Sequence, residues 1–255
     1  MISSRELKYY SSLLIKKYRV EENKFLVEGK KIVEDGLASN FNCEAIFATQ
    51  AFIDSEPEII NTAQRKSSKF YQIKSAEFQR LSDTRSPQGI AAVFSPRKAS
   101  KNISDLKENM LILIDNISDP GNLGTILRTC DWFGFNFVLI SKYSVEYLNP
   151  KVIRSSMGSI FHLNIFQDVN ENDLSVLKEN GYKFITTDLD GESIYKFKLP
   201  DKSIISFSNE SSGPGEMLQK YSAHKITIPK IGKAESLNVA SAAAIILSKL
   251  TNNKK

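Results

Sequence analysis

The sequence predicts an α/β protein with a small N-terminal layer domain and a C-terminal domain built on a parallel β-sheet. Helical and strand-like periodicities alternate over residues 4–94. After residue 105 the strand signals become short apolar runs, which are typical of central parallel strands. The polar stretch Ser95–Asp105 has no apolar periodicity and indicates a linker between the two parts. We therefore assign residues 1–98 and 106–255 to two domains.

The N-terminal domain is predicted to alternate helices with strands. The helices are expected near Arg5–Tyr18 and Lys30–Ala38, at Pro57–Lys66 and at Ala76–Leu81. The strands are expected at Lys24–Glu28, Glu44–Ala48, Phe70–Ile73 and Gly89–Phe94. Because each of these elements buries one face, helices and strands are expected to pack as layers.

The C-terminal domain is predicted from its apolar runs. Strands are expected at Leu111–Ile114, Phe137–Ile140, Phe184–Thr186 and Ser203–Phe207. A helix is indicated by apolar residues at helical spacing, which are Leu123, Ile126, Leu127, Cys130 and Phe133. Asn149 and Pro150 supply an N-cap and a first-turn proline for the next helix. The final helix, from about Leu237 to Leu250, is apolar nearly all round, which predicts burial on several faces, including a subunit interface.

Composition excludes several classes of protein. The chain has 255 residues, of which 41% are hydrophobic and 25% charged, as in ordinary globular proteins. No uncharged apolar run approaches the roughly 18 residues of a spanning helix, and residues 1–18 lack a signal-peptide layout. We therefore expect a cytoplasmic protein without membrane contact. Cys43 and Cys130 are far apart, and His162 and His224 are the two histidines, so we expect buried, reduced thiols and no metal site.

The net charge of +5 is concentrated in the N-terminal part of the chain. Lys30, Lys31 and Arg85 are among the side chains there that can neutralise phosphates. A lysine-rich surface that is simply solvated explains such residues equally well. Charge alone therefore leaves nucleic-acid binding open.

The chemistry is expected in the segments that follow the apolar strands, because ligands of open parallel sheets bind beyond the carboxyl ends of the strands. In the first of these segments, Asp115–Phe135, a proline-glycine turn leads into a helix that begins near Asn122. Arg128 lies off the apolar stripe of this helix, where an arginine can bind phosphate. A plain turn with a surface ion pair is the alternative, and the glycine spacing does not match a dinucleotide-binding fingerprint.

Two further segments carry polar side chains after a strand. The segment Ser206–Leu218 has Asn209 and Glu210 in a glycine-containing loop, and Ile228–Leu247 places Ser236 and Asn238 at the start of the buried helix. Taken singly, these residues are ordinary helix caps. Together, three polar loops after strands of one α/β unit favour a functional site.

The three segments resemble the three signature motifs of the SpoU, or TrmH, family of S-adenosylmethionine-dependent RNA ribose 2'-O-methyltransferases in the SPOUT superfamily. The matching positions are Asp119, Pro120, Asn122, Gly124, Arg128 and Gly134 in the first, Asn209, Glu210 and Gly213 in the second, and Ile228, Pro229, Ser236, Leu237, Asn238 and Ala242 in the third. The stretch Lys151–Phe166 also resembles a family segment. Asn23–Leu37 and Ser86–Phe94 resemble the substrate-binding domain that many members carry, so the resemblance covers nearly the whole chain.

The resemblance implies a fold and a cofactor. It implies a parallel-sheet SPOUT domain with a trefoil knot, dimerisation through that domain, and a small ribosomal-protein-like α/β domain in front that binds the RNA substrate. The cofactor would be S-adenosylmethionine, held in the knot. The residues implied in holding it are Thr187, Leu189, Ser208, Asn209, Gly213, Ile228, Ser236, Leu237 and Asn238. The residues implied in RNA contact are Lys30, Lys31, Arg85 and Arg154.

The resemblance also implies which residues act in the reaction, namely Asn122, Arg128, Glu210, Ser236 and Asn238. Arginine stays protonated, so Arg128 is expected to bind phosphate and orient the ribose hydroxyl rather than to remove its proton. Glu210 is expected to accept that proton or to fix its loop. Asn122 and Asn238 are expected to position the substrate or the catalytic loop.

One position departs from the family pattern. Members usually have glycine immediately before the Asn-Glu pair, where this chain has Ser208, and a need for close backbone approach would make Ser208 weaken cofactor binding. Large-subunit ribosomal RNA is the favoured substrate, and transfer RNA is the alternative. A ribosome-assembly factor that binds RNA without catalysis is a further alternative, whereas a nicotinamide-dependent oxidoreductase has little support.

Overall fold

The computed structural model describes residues 2–96, 102–209 and 213–252. The chain forms two compact units. We call Met1–Ala99 together with Leu148–Phe161 the N-terminal unit, and Ser100–Tyr147 together with His162–Lys255 the C-terminal unit. None of the helices in the described ranges is long and apolar enough to cross a membrane.

The first part of the chain, up to residue 95, alternates helices and strands. Its elements are α1 (Ser4–Ser12), α2 (Lys16–Glu22), β1 (Phe25–Glu28), α3 (Lys30–Ala38), β2 (Asn42–Thr49), α4 (Gln50–Ser55), α5 (Pro57–Lys66), β3 (Lys69–Ile73), α6 (Ser75–Phe78), a 3₁₀ turn (Gln79–Leu81) and β4 (Ile90–Ser95). The four-stranded sheet has the order β1-β4-β2-β3, in which β4 runs antiparallel to β1 and β2, and β3 runs parallel to β2.

The helix predicted at Arg5–Tyr18 is wrong as a single element, because the chain breaks it into α1 and α2. Ile15 is extended, with φ −99° and ψ 130°, so the helical hydrogen-bond ladder stops before it. The break lets Leu13 turn into the core while Arg19, which is 4% exposed, donates from its guanidinium to the Leu13 carbonyl at 2.9 Å. Tertiary packing therefore overrides the continuous helical periodicity of this stretch.

A cluster of buried side chains between α1 and the sheet forms part of the core of the N-terminal unit. Leu7 and Tyr10 of α1 pack on the sheet, and the rings of Phe47 and Tyr71 stack at 5.4 Å between centroids. Cys43 is buried in this unit and unpaired, and burial raises the pKa of its thiol to about 12. The thiol therefore stays protonated and behaves as a small apolar side chain.

The second part of the chain holds the remaining elements. They are a 3₁₀ turn (Ile103–Asp105), β5 (Met110–Asp115), α7 (Pro120–Trp132), β6 (Phe137–Ser141), α8 (Pro150–Ser156), a 3₁₀ turn (Ser159–Phe161), β7 (Asn164–Val169), α9 (Glu171–Glu179), β8 (Lys183–Ser193), β9 (Ser203–Ser208), α10 (Glu216–Tyr221), β10 (Ser222–Thr227) and α11 (Val239–Asn252). As predicted, Asn149 caps α8, since its side chain accepts from the Lys151 N–H.

The C-terminal unit is built on a six-stranded sheet in the order β10-β8-β9-β5-β6-β7, and every neighbouring pair is parallel. Each of the four predicted apolar runs forms one of its inner strands. The two edge strands, β7 and β10, were not predicted because their residues are mostly half-buried or exposed and carry no apolar run. Parallel order brings the carboxyl ends of the strands to one edge.

Helices α7 and α11 start at this edge of the sheet and pack against each other. The apolar stripe predicted for α7 is buried at Leu123, Ile126, Leu127 and Cys130. Helix α11 begins two residues after the predicted Leu237, and Val239, Ala243, Ile246, Leu247 and Leu250 are each 4% exposed or less in the single chain. The predicted burial of its other side in a subunit interface stays a prediction. Its residue Ile245 is 37% exposed, because the neighbouring elements cover one side of the helix.

Candidate active site

A cleft of about 400 Å³ opens beside the carboxyl ends of the central strands. Its walls come from three segments of the C-terminal unit and from one helix. They are residues 187–189 of β8, residues 208–209 and 213–214 at and after the end of β9, the stretch 226–237 from the end of β10 onward without Lys233, and Val239, Ala242 and Ile246 of α11. The second and third motif segments therefore meet around one cavity.

Most of the residues predicted to hold the cofactor line this cleft. They are Thr187, Leu189, Ser208, Asn209, Gly213, Ile228, Ser236 and Leu237. Asn238 is not a lining residue but lies between two that are, Leu237 and Val239. Sequence reasoning missed other lining residues, among them Asp188, Ile226 and Lys230, since nothing in the sequence shows that β10 runs beside β8.

The cleft has apolar walls with a few polar groups. Ile226, Val239 and Ile246 are apolar lining residues, whereas the Ser208 hydroxyl is buried and has no hydrogen-bond partner among the described residues. Apolar walls with a few fixed polar groups are typical of small-molecule sites. The backbone at Ser208 has no positive φ, so the glycine expected from the family pattern is not required for the conformation found here.

Asp188, on the wall of the cleft, forms a charged pair with a lysine of β10. Lys225 donates to Asp188 Oδ2 at 2.7 Å. Desolvation raises the pKa of Asp188, but the Lys225 hydrogen bond and backbone N–H groups more than offset this, so its pKa lies below the ordinary value. The same bond raises the pKa of Lys225. Asp188 is therefore ionised at neutral pH and adds a fixed negative charge to the wall.

The loop after β9 is tethered to the sheet by Asp115. This aspartate ends β5, is 2% exposed, and pairs in register with Ser208. Its Oδ2 accepts a hydrogen bond from the Gly215 N–H at 3.0 Å. Gly213 in the same loop has φ +64°, which favours glycine, and its N–H donates to the Asn209 carbonyl at 2.9 Å. Asp115 was not predicted as a site residue, although a carboxylate that ends a buried strand is a signal worth following.

The first and third motif segments are joined by two asparagine side chains. Asn238 Nδ2 donates to Asn122 Oδ1 at 2.9 Å, although the two residues are 116 positions apart. The Oδ1 of Asn238 accepts from the N–H groups of Ala240 and Ser241 at 3.0 and 3.3 Å, so Asn238, and not Ser236, caps α11. Ser236 is exposed on the rim of the cleft. The bridge fixes the starts of α7 and α11 relative to each other.

Arg128 lies on the solvent side of α7. It is six residues beyond Asn122, which is about 9 Å along a helix axis. Its side chain is exposed, and it forms no hydrogen bond or ion pair within the described part of the chain. Neither Asn122 nor Arg128 lines the cleft. The predicted catalytic residue Glu210 lies outside the described residues.

The residues predicted to contact RNA all belong to the N-terminal unit, and most are paired there. Lys30 bonds to Glu56 at 2.6 Å, and Lys31 bonds to Asp35 at 2.6 Å. Arg154 pairs with Asp83. In contrast, Arg85 is exposed and has no such partner in residues 2–96, 102–209 and 213–252. Among the four predicted residues, Arg85 therefore keeps its donors available.

Among the described residues, no group of three or more His, Cys, Asp or Glu side chains has the arrangement of a metal site.

Solved structures of the same architecture come from RNA methyltransferases. A TrmH-family protein from Porphyromonas gingivalis is 31% identical, with a TM-score of 0.85 over 99% of each chain. The SpoU methyltransferase AviRb from Streptomyces viridochromogenes, solved with AdoMet, is alike in fold at 21% identity, with a TM-score of 0.88 over 99% of this chain and 98% of that one. The fold and the cleft define a methyltransferase of the SPOUT class.

Within that class the chain belongs to the SpoU rRNA methylase family. The family profile matches residues 108–248, and an MRM3-like substrate binding domain matches residues 5–92. The 23S rRNA (guanosine(2553)-2'-O)-methyltransferase RlmP of Bacillus subtilis is 30% identical over 247 residues, which cover 96% of this chain and 95% of that protein. The family and the fold class predicted from the motifs are thus confirmed.

Proposed function

We propose that this chain transfers a methyl group from S-adenosylmethionine to a ribose 2'-hydroxyl of large-subunit ribosomal RNA. The observation that carries the proposal is the convergence of the three motif segments. The second and third line one cleft, and the first is bonded to the third through Asn122 and Asn238. Relatives named for 23S rRNA methylation, from Bacillus subtilis and Neisseria meningitidis, favour ribosomal RNA over transfer RNA.

The cleft fits the methyl donor. Its volume of about 400 Å³ lies within the range of roughly 300–1,000 Å³ for small-molecule sites. We assign the donor to the walls formed by Thr187, Leu189, Ile228 and Leu237, with polar contacts from the loop after β9 and from Ser236. The free Ser208 hydroxyl is a polar group that a bound ligand can satisfy after a small movement. When bound, S-adenosylmethionine supplies an electrophilic methyl group on a sulfonium.

The residues of the first motif are assigned to the RNA side of the reaction. The guanidinium of Arg128 stays protonated, so we assign it to binding phosphate and orienting the 2'-hydroxyl. Orientation matters because displacement at a methyl carbon requires an in-line nucleophile. Glu210 is assigned to accepting the hydroxyl proton or fixing its loop. Asn122 and Asn238 are assigned to holding the two helix starts in the geometry that the reaction needs.

The N-terminal unit is assigned to RNA binding, since its sequence matches a substrate binding domain. Arg85 is the predicted RNA contact with available donors, and Lys30, Lys31 and Arg154 stay predictions beside it. We further propose a homodimer formed through the C-terminal unit, because Trp132 at the end of α7 is 83% exposed and Ile245 of α11 is also exposed. The cytoplasmic location stays a prediction.

A labelling experiment tests the proposed substrate and donor together. Radiolabelled S-adenosylmethionine is incubated with the chain and with separate pools of unmodified large-subunit ribosomal RNA and transfer RNA. Label in the ribosomal RNA alone is the expected result, and label in the transfer RNA alone would contradict the proposed target. Calorimetry with S-adenosylmethionine then tests whether the chain binds the donor, since absence of both binding and labelling would favour a non-catalytic RNA-binding factor.

A further inference from the structure

The loop of residues 82–88 in the N-terminal unit, here the 82–88 loop, is anchored on one carboxylate. Glu28 ends β1, and both of its carboxylate oxygens accept hydrogen bonds from the loop. The Ser82 hydroxyl donates to Oε2 at 2.6 Å, while the Thr84 hydroxyl and the Gln88 N–H donate to Oε1 at 3.0 and 3.3 Å. Three donors of one loop therefore converge on one side chain.

Further contacts fix the flanks of the 82–88 loop. Gln88 Oε1 accepts from the N–H of Lys30, the first residue of α3, at 3.0 Å. Gly29 has φ +103°, and a Cβ there would lie 3.2 Å from the same oxygen, so this close turn favours glycine. Asp83 pairs with Arg154 of α8. The backbone of the loop is thus held from both sides.

Arg85 lies in the middle of this held loop and has no partner of its own among the described residues. The acid that anchors the loop, Glu28, and the acid within it, Asp83, are already engaged by loop donors and by Arg154. The guanidinium is exposed. An arginine on an ordered support loses less conformational freedom on binding, and its planar fork matches the two oxygens of a phosphate.

Two more cations lie on the connection that contains the loop. Strands β1, β2 and β3 end at the edge of the sheet where β4 begins, because β1 and β2 run antiparallel to β4. The connection from β3 to β4 starts and finishes at that edge, and it carries Lys74 and Arg80, which are exposed and form no ion pair within the described ranges. Its carboxylate Glu77 accepts the Lys74 N–H at 2.9 Å. The connection therefore presents more available positive than negative charge.

We propose that this edge binds the phosphate backbone of the RNA substrate, with Arg85 as a phosphate contact and Glu28 as the positioning residue that holds its loop. The inference rests on the proposed function, which supplies RNA as the ligand. Phosphate contacts fix the register and orientation of a nucleic acid without reading its bases. The edge thus determines how the substrate is held, and the C-terminal unit performs the transfer.

Binding of transcribed, unmodified large-subunit ribosomal RNA at several salt concentrations tests this proposal. The variants are Arg85→Ala, Glu28→Ala and the double variant. Arg65→Ala is the matched control, because Arg65 is an exposed arginine near the end of α5, beside the opposite edge where β3 begins. We expect Arg85→Ala to weaken binding several-fold and to reduce the slope of log affinity against log salt by about 1. Glu28→Ala is expected to do the same, and the double variant to bind no more weakly than Arg85→Ala.

Steady-state kinetics distinguish a positioning role of Glu28 from a general contribution of Glu28 to the stability of the fold. Glu28→Ala is expected to raise KM for RNA and to leave kcat and KM for S-adenosylmethionine unchanged. Glu28→Gln, which keeps one carbonyl oxygen for the loop donors, is expected to recover part of the loss. The proposal is overturned by unchanged binding in Arg85→Ala, by additive losses in the double variant, or by a Glu28→Ala protein that melts earlier but binds RNA normally.

The control variant adds one more decisive outcome. A loss in Arg65→Ala as large as that in Arg85→Ala would show a diffuse charge effect and overturn the proposed edge. Failure of the proposed function is recognised differently, since the wild-type chain would then transfer no methyl group to ribosomal RNA. Failure of the present inference leaves wild-type transfer intact.

Discussion

Arg128 is the side chain on which the proposed chemistry depends most. Its guanidinium carries five N–H donors and remains charged at any physiological pH, so it can hold a phosphate and a hydroxyl oxygen but cannot take a proton. Its exposure on α7, without a partner in the described part of the chain, leaves those donors available. The neighbouring Asn122 is held by the bridge to Asn238, so the surrounding backbone is fixed.

Replacing Arg128 by alanine is expected to lower kcat for methyl transfer by roughly 10²-fold or more, because the 2'-hydroxyl loses its orientation. The affinity for S-adenosylmethionine should not change, since Arg128 does not line the cleft. Single-turnover transfer and calorimetry measure the two quantities, with Arg65→Ala as control. Wild-type turnover in Arg128→Ala would show that the assigned role is wrong.

Asp115 offers a second prediction at the level of one residue. Asp115→Ala removes the acceptor for the Gly215 N–H, and a partly buried N–H left unpaired costs about 1–3 kcal/mol. We expect the loop after β9 to loosen and the Kd for S-adenosylmethionine to rise roughly tenfold. Asp115→Asn keeps an oxygen acceptor and should bind nearly as the wild type does. Equal affinities in all three proteins, measured by calorimetry, would refute the tether.

Among the elements, α7 and α11 depend on each other through a few side chains at their starts. Asp119 accepts the Asn122 N–H at 2.8 Å and caps α7, while Asn238 caps α11 and donates to Asn122. Each helix start thus carries its own cap, and one bond couples the two. These bonds hold in place the two polar loops that lead into α7 and α11 at the edge of the sheet.

A double-mutant cycle on Asn122 and Asn238 measures this coupling. Asn238→Ala removes a cap and the bridge, and loss of such a cap costs about 0.5–2 kcal/mol. Asn122→Ala removes the bridge alone. We expect the double variant to be more stable than the sum of the single losses predicts, by about 0.5 kcal/mol or more in urea unfolding. Strictly additive free energies of unfolding would mean that the bond contributes nothing.

Helix α1 is fastened to the first sheet by a carboxylate whose charge depends on pH. Glu6 accepts from the Tyr71 hydroxyl at 2.6 Å and from the Ser3 backbone at 3.0 Å. These bonds, the Tyr71 bond first, lower the pKa of Glu6 from 4.5 to about 2. A carboxyl whose pKa is lowered by folding stabilises the fold at pH values above the pKa that it has in the unfolded chain. That contribution is lost as the pH falls from about 4.5 to about 2.

Comparison of wild type with Glu6→Gln across pH tests this linkage. At pH 7 the variant is expected to melt at the lower temperature, because the ionised carboxylate is the better acceptor. The difference in melting temperature between the two proteins should narrow progressively below about pH 4.5. Melting curves between pH 7 and pH 3 measure this difference, with Glu58→Gln, at an exposed position of α5, as control. A difference in melting temperature that stays constant with pH would contradict the stabilising role of the ionised Glu6.

For the whole molecule, the inner strands were predictable because their signal is local. Four apolar runs became parts of β5, β6, β8 and β9, and these runs are buried on both faces of the sheet. Helices α3 and α5 have the bounds that periodicity predicts. The edge strands β7 and β10 carry polar residues, and α4 is a short turn of helix capped by Thr49, so neither kind of element has a periodic signal.

The candidate site was predictable in part and for a different reason. The motif residues were found through the resemblance, and the knot that the family implies has no periodic signature at all. The bond between Asn122 and Asn238 and the tether from Asp115 to Gly215 join residues about a hundred positions apart. Such contacts depend on strand order, which a single sequence does not specify. The same holds for the pairing of Lys30 and Arg154 with acids.

We propose above that the chain methylates a ribose 2'-hydroxyl of large-subunit ribosomal RNA. The most direct measurement is mass spectrometry of nucleosides from transcribed, unmodified large-subunit ribosomal RNA that has been incubated with the chain and S-adenosylmethionine. We expect one 2'-O-methylated nucleoside, which is absent or greatly reduced with Arg128→Ala. A base-methylated nucleoside, or an RNA left unmodified by a chain that does methylate transfer RNA, would contradict it.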